Sequence, residues 1–168
     1  MSVIIEDQKR RPTGLLVLCV MTMVSTAWQL LGSLAGVFSG KLTTEDVTNV
    51  QLKYAELIQM LKDLGSEDSI DSILKIQNIQ IAILENLQLF SFIGLIIAGV
   101  GVFGVYKIYK GFKLGFHLYI VYSFLSLIHY HFIVGASEIP TPLLIANGFI
   151  SLLLILLYSR HLHWLNKV

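Results

Sequence analysis

From Gly14 to Phe38 the chain runs without one charged residue. A stretch this long and apolar cannot sit in an ordinary soluble core, and a bilayer-crossing helix needs only about 20 such residues. Three more stretches follow, at about Leu87–Tyr106, Leu114–Gly135 and Thr141–Tyr158. In hydrocarbon the backbone must satisfy its own hydrogen bonds, which selects helices here. The sequence therefore predicts an all-α polytopic membrane protein. Its four transmembrane helices form a bundle, with an external amphipathic helical hairpin over about 39–86. Residues 1–168 make a single membrane domain.

Composition agrees. Of 168 residues 55% are hydrophobic and 14% charged, against about 25% charged in a soluble domain. Such hydrophobicity excludes disorder. A net charge of +1 gives no basic surface for nucleic acid. Lys9, Arg10 and Arg11 followed by Ser25-Thr26-Ala27 resemble a cleavable signal, but the apolar run continues past Ala27 to Phe38, which predicts a retained anchor. Leu18 before Cys19 excludes a lipoprotein site.

Charge placement predicts orientation, because Lys and Arg collect in cytoplasmic loops. Lys9, Arg10, Arg11, Lys107, Lys110, Lys113, Arg160 and Lys167 share one side with only Glu6 and Asp7, a balance of +6. The other side holds Lys41, Lys53, Lys62 and Lys75 against nine acids, a balance of −5. Both termini are expected in the cytoplasm, in a cell (inner or plasma) membrane. Trp28, Tyr106, Tyr130, Tyr158 and Trp164 are expected at interfaces. The Lys107, Lys110 and Lys113 loop is expected to enforce topology, with anionic-lipid binding as the alternative.

In the external segment Thr43 and Asp46 have capping-box spacing. Val47, Val50, Tyr54, Leu57, Ile58, Leu61 and Leu64 recur at helical spacing, and Gly65 is placed to end that helix. Ser66 or Ser69 can cap a second helix carrying Ile70, Ile73, Leu74, Ile76, Ile79 and Ile83, which is free to continue into span two. The arms either pack together, lie on the membrane surface, or offer Tyr54, Leu57, Leu61 and Ile73 to a protein partner.

Lipid tails do not drive apolar helices together; small residues and hydrogen bonds do. The expected inward stripes are Thr22, Ser25, Gln29, Gly32 and Gly36 in span one, and Ser91, Gly94, Ala98 and Gly101 in span two. Span three offers Gly115, Tyr119, Tyr122, Ser126 and His129; span four offers Asn147 and Ser151. Gly32 and Gly36 form a GxxxG, which admits a homo-oligomer. With ~1.5 Å rise per residue, Gln29, His129 and Asn147 fall roughly 6–8 Å to the outer side of the span midpoints, with Ser91 slightly higher. Such intramembrane polar groups are expected either to bond between helices or to line a ligand pocket.

No catalytic site and no cofactor are expected. No charged residue lies well inside a span, and no Pro-broken inverted repeat is present, which argues against ion-coupled transport. His129/His131 and His161/His163 are spaced i, i+2 and predict no metal site. Gly99-Val100-Gly101-Val102-Phe103-Gly104 formally reads GxGxxG, but inside an apolar span it signals helix packing. Cys19 is expected to be a small packing residue.

The segment Lys113-Leu114-Gly115-Phe116-His117-Leu118-Tyr119, after an Ile/Gly-rich span and a short basic loop, resembles a K-x-G-F-x-L-Y segment. That segment opens the third span of uncharacterised small four-span integral membrane proteins of Bacteroidetes-type bacteria. The resemblance implies a shared layout and no activity. The large first external segment is similar in place to that of claudins, but it lacks their Trp and paired Cys. The leading expectation is a non-enzymatic accessory or scaffold subunit that presents the hairpin to a protein partner. The alternative is a small-molecule, lipid or ion binding or permeation protein using the polar layer. A water-accessible cavity at that layer would favour the second.

Overall fold

A computed structural model describes residues 11–39, 44–66 and 69–165. The described residues are mostly helical, and no strand occurs among them. Six α-helices follow one another: α1 (Thr13–Phe38), α2 (Thr44–Asp63), α3 (Ile70–Glu85), α4 (Leu87–Tyr109), α5 (Lys113–Ile128) and α6 (Thr141–Ser159). Two 3-10 turns, His129–Phe132 and Ala136–Glu138, lie between α5 and α6. α1, α4 and α6 are each long and apolar enough to cross a membrane, which marks the chain as a membrane protein. α5 has sixteen α-helical residues. The third apolar stretch is therefore not one continuous α-helix, because its last part tightens into a 3-10 turn at His129.

Helices α1 and α4 pack most extensively, followed by α4 and α5. Small side chains make this close approach possible. Along α4 the buried positions Ser91, Gly94, Ala98, Gly101, Val105 and Ile108 recur every three to four residues. Gly36 of α1 stands against Ser91, so any Cβ there would collide with the serine side chain. A Cβ on Gly101 would meet the Tyr122 ring at 2.8 Å and Thr26 at 3.0 Å, and one on Gly94 would meet Ser33 Oγ at 2.7 Å. Helices α4 and α5 touch backbone to backbone, since a Cβ on Gly115 would meet the Ile108 amide and the Gly104 carbonyl. Gly32 meets nothing within 4 Å, so only the second glycine of the GxxxG takes part in packing.

The buried face of α1 is Leu15, Cys19, Thr22, Thr26 and Gly36. It is rotated from the expected stripe, with Ser25 and Gly32 turned outward. Cys19 is buried, as a packing residue would be. Tyr158 is fully buried (0% exposed) in a cluster with Leu15, Cys19, Val105, Ile108, Phe116, Tyr119 and Leu165. Its ring packs on Tyr119 at 4.7 Å between centroids. This cluster closes the end of the bundle that carries Arg11, Lys107, Lys110, Lys113 and Arg160, here called the basic end. There Arg11 lies 3.8 Å from the Tyr109 ring centroid.

Two glycines end helices in the same way. Gly65 has φ +69 and Gly111 has φ +87. The Gly65 N–H donates to the Lys62 carbonyl and the Ser66 N–H to the Leu61 carbonyl. Gly111 and Phe112 donate likewise to Ile108 and Lys107, so both are Schellman caps. Thr43, read as a capping-box residue, lies outside the described residues, as do Glu6, Asp7, Lys9, Arg10, Lys41 and Lys167. Ser69 occupies the N-cap position of α3 without a side-chain cap bond. α3 reaches α4 with a single break at Asn86 (φ −115, ψ 28).

The hairpin is docked rather than free. Ile79 of α3 is buried against Val134 and Ile139 of the α5–α6 connection, with Ala82, Ile83, Ile133, Leu143 and Leu144 around them. α2 packs mainly on α3. Tyr54, Leu61 and Ile73 are half-buried, whereas Leu57 is exposed.

Candidate functional site

A cavity of about 590 Å³ lies between α1, α5 and α6. Its size falls inside the usual range for ligand sites, about 300–1,000 Å³. Its existence follows from helix placement. The backbones of α1 and α6 barely approach one another, and only their side chains meet, at the basic end. There the Tyr158 hydroxyl donates to Thr22 Oγ1 at 2.9 Å. Further along, the two helices leave a gap with α5 as its floor.

The lining is rich in polar groups and contains no Asp, Glu, Lys or Arg. α1 supplies Thr22, Ser25 and Gln29; α5 supplies Tyr119, Tyr122, Ser123 and Ser126; α6 supplies Asn147 and Ser151. His129 and Tyr130 complete it. These α5 residues are spaced to share one helix face, so one helix presents a ladder of hydroxyls to the gap.

Several of these groups hold fixed hydrogen bonds. The Tyr122 hydroxyl donates to Gln29 Oε1 at 3.1 Å, which leaves the Gln29 amide N–H groups as donors. Thr26 Oγ1 donates back to the Thr22 carbonyl at 2.8 Å. His129 is buried. Its Nε2 stands 3.0 Å from the Phe90 carbonyl oxygen. A carbonyl only accepts, so Nε2 carries the proton and Nδ1 of the neutral ring is an acceptor. The His129 ring also stacks on Phe90, at 4.0 Å between centroids and 7° between planes. Ser126 Oγ is buried and completes no hydrogen bond of ordinary geometry, although the Tyr122 hydroxyl lies one turn back on the same face. The Asn147 amide makes no hydrogen bond among the described residues.

Of the four residues expected in one polar layer, Gln29, His129 and Asn147 line this cavity. Ser91 does not. It is buried on the other side of α1, against Gly36. Tyr130, expected at an interface, lines the cavity instead. The tie between Tyr158 and Thr22 carries no signature in the sequence beyond two polar residues in apolar helices.

Among the described residues, no group of three His, Cys, Asp or Glu is placed to hold a metal ion. His161 and His163 stand 6.4 Å apart between ring centroids, in the turns that follow α6. Compared with known proteins, the chain matches no family model, no curated protein and no solved structure.

Proposed function

We propose that the chain is a non-enzymatic, four-span cell-membrane protein that binds a small molecule in the cavity between α1, α5 and α6. The observation that carries this reading is an interhelical space of about 590 Å³ bordered by polar side chains, among them the Asn147 amide, which makes no hydrogen bond among the described residues. A bundle whose polar residues served only to join helices would spend them on one another. A fourth span is consistent with the dimensions. The sixteen residues of α5 and four of the following 3-10 turn together extend roughly 32 Å, close to the hydrocarbon thickness of about 30 Å. The charge bias puts the basic end in the cytoplasm, so the cavity belongs to the outer part of the bundle.

Binding is favoured over permeation. At the basic end Leu15, Cys19, Tyr158 and Leu165 are packed together, all at 3% exposure or less, which supports a blind cavity over a pore.

The test is cysteine accessibility in the full chain, in nanodiscs, on a Cys19→Ala background. Cysteines at positions 126 and 151 are expected to react with a small thiosulfonate and to be protected by bound ligand. Failure of both to react overturns the reading.

A second reading is favoured by Leu52 and Met60, which are exposed on α2, and by Leu64, exposed in the turn that follows it. In it the hairpin docks a protein partner or another copy, making the chain an accessory or scaffold subunit. Photo-cross-linking from positions 52 and 60 in native membranes tests it; adducts with lipid alone would reject it.

A further inference from the structure

Resting on the binding reading above, we infer that the cavity takes the uncharged, hydroxyl-bearing head of a membrane amphiphile, which arrives sideways between α1 and α6. Three observations lead there, concerning the charge of the walls, their hydrogen-bonding capacity and the position of the opening.

The walls contain no Asp, Glu, Lys or Arg. A phosphate, carboxylate or ammonium placed there would lose its water and meet no counter-charge, which costs far more than burying a neutral group. The head that fits is neutral. It must still be polar, because the cavity is bordered by the Asn147 amide and the unused N–H groups of Gln29, with the buried Ser126 hydroxyl just behind the wall. His129 is part of the lining, and Nδ1 is its remaining acceptor, since Nε2 is committed to the Phe90 carbonyl. Donors and an acceptor in one space match a hydroxyl, which both donates and accepts. A ring or chain bearing only acceptors would leave the acceptor side unused.

The opening decides the rest of the molecule. Met21 (66% exposed) and Ile150 (54% exposed) stand on opposite walls, on α1 and α6, and both are part of the lining. They are apolar and outward-facing, and Ser25 beside them is exposed too. In a membrane that side faces acyl chains. At the basic end the same two helices are joined by Tyr158 and Thr22. The gap is thus a lateral slot with a polar interior and an apolar mouth. A head with an attached hydrocarbon tail satisfies both zones, with the tail left among the lipids.

The experiment uses the full chain in zwitterionic nanodiscs at neutral pH. Three sixteen-carbon probes carry the same diazirine near one end: hexadecanol, hexadecanoic acid and hexadecane. After photolysis, adducts are mapped by peptide mass spectrometry. The alcohol is expected to label Met21, Ile150 and Leu154 about ten-fold more than the acid or the alkane. Ser126→Ala and Asn147→Leu, which remove a hydrogen-bonding group while roughly preserving side-chain volume, should each lower alcohol labelling about five-fold and leave the alkane unchanged.

Equal labelling by alcohol and alkane overturns the inference, because the head is then not read. So does preferential labelling by the acid, or alcohol labelling that survives in both variants. In those cases the binding reading is decided by the cysteine-accessibility test alone, because adducts at the outward-facing Met21 and Ile150 do not by themselves report the cavity. If no probe labels the cavity while cysteines at 126 and 151 stay reactive, the guest is not an amphiphile and only this inference falls. If those cysteines are also unreactive, both fall.

Discussion

The Tyr158 hydroxyl and Thr22 Oγ1, 136 residues apart in sequence, meet at 2.9 Å. This bond closes the bundle between its first and last helices and forms the inner end of the cavity. Tyr158→Phe keeps the ring against Tyr119 but removes the donor. The expected loss is about 0.6–1.7 kcal/mol, the range measured for hydrogen bonds between membrane helices. Steric-trapping or denaturant unfolding in bicelles would read it, with exposed Tyr106→Phe as the control that shows no change.

Glycine substitutions separate packing from composition. Gly115→Ala drives a methyl into the α4 backbone at Ile108 and Gly104 and should destabilise by about 1–3 kcal/mol or more. Gly32→Ala and Gly99→Ala meet nothing within 4 Å and should stay within about 0.5 kcal/mol of the parent. Equal effects at all three positions would contradict the α4–α5 crossing described above.

The docking of the hairpin depends on one small cluster. Ile79→Ala removes the buried anchor that α3 sets against Val134 and Ile139. Hydrogen exchange in α3 should accelerate, while exchange in the middle of α4 stays unchanged. Uniform acceleration would mean that hairpin and bundle unfold as one unit.

His161 gives a pH response at the basic end. Burial, with neighbouring His163 and Arg160, holds its pKa below the usual histidine value of 6.5. The folded chain therefore binds a proton there less readily than the unfolded chain. Stability from this group is present above about pH 6.5, falls as pH drops below that value, and is fully lost below the folded-state pKa. Unfolding measured from pH 7.5 to 5 should show this decline, and His161→Gln should flatten it.

Which residues come together was partly legible from their spacing along the helices, and azimuth was not. Helical rise converts residue number to height, so Gln29, His129 and Asn147 were expected at one level, and they line one cavity. Ser91 was expected slightly above that level, but it faces Gly36. In α1 two stripes satisfy the three-to-four spacing, one through Ser25 and Gly32, the other through Cys19 and Thr26. In a soluble helix hydrophobicity would choose between them. In a helix apolar all round it does not, because lipid and protein interior are equally apolar. The choice falls to contacts such as Gly101 against Thr26, which involve another helix. The end of α5 at Ile128 is likewise a tertiary outcome, since His129 is held by the carbonyl and ring of Phe90. The caps at Gly65 and Gly111 are local, and the first was expected from sequence.

The uncharged lining of the cavity has an electrical consequence. Moving one elementary charge through a membrane potential involves about 2.3 kcal/mol per 100 mV. A neutral guest settling among Ser126, Asn147 and Gln29 moves no charge and does no electrical work. On the binding reading proposed above, occupancy of this cavity is expected to be independent of voltage.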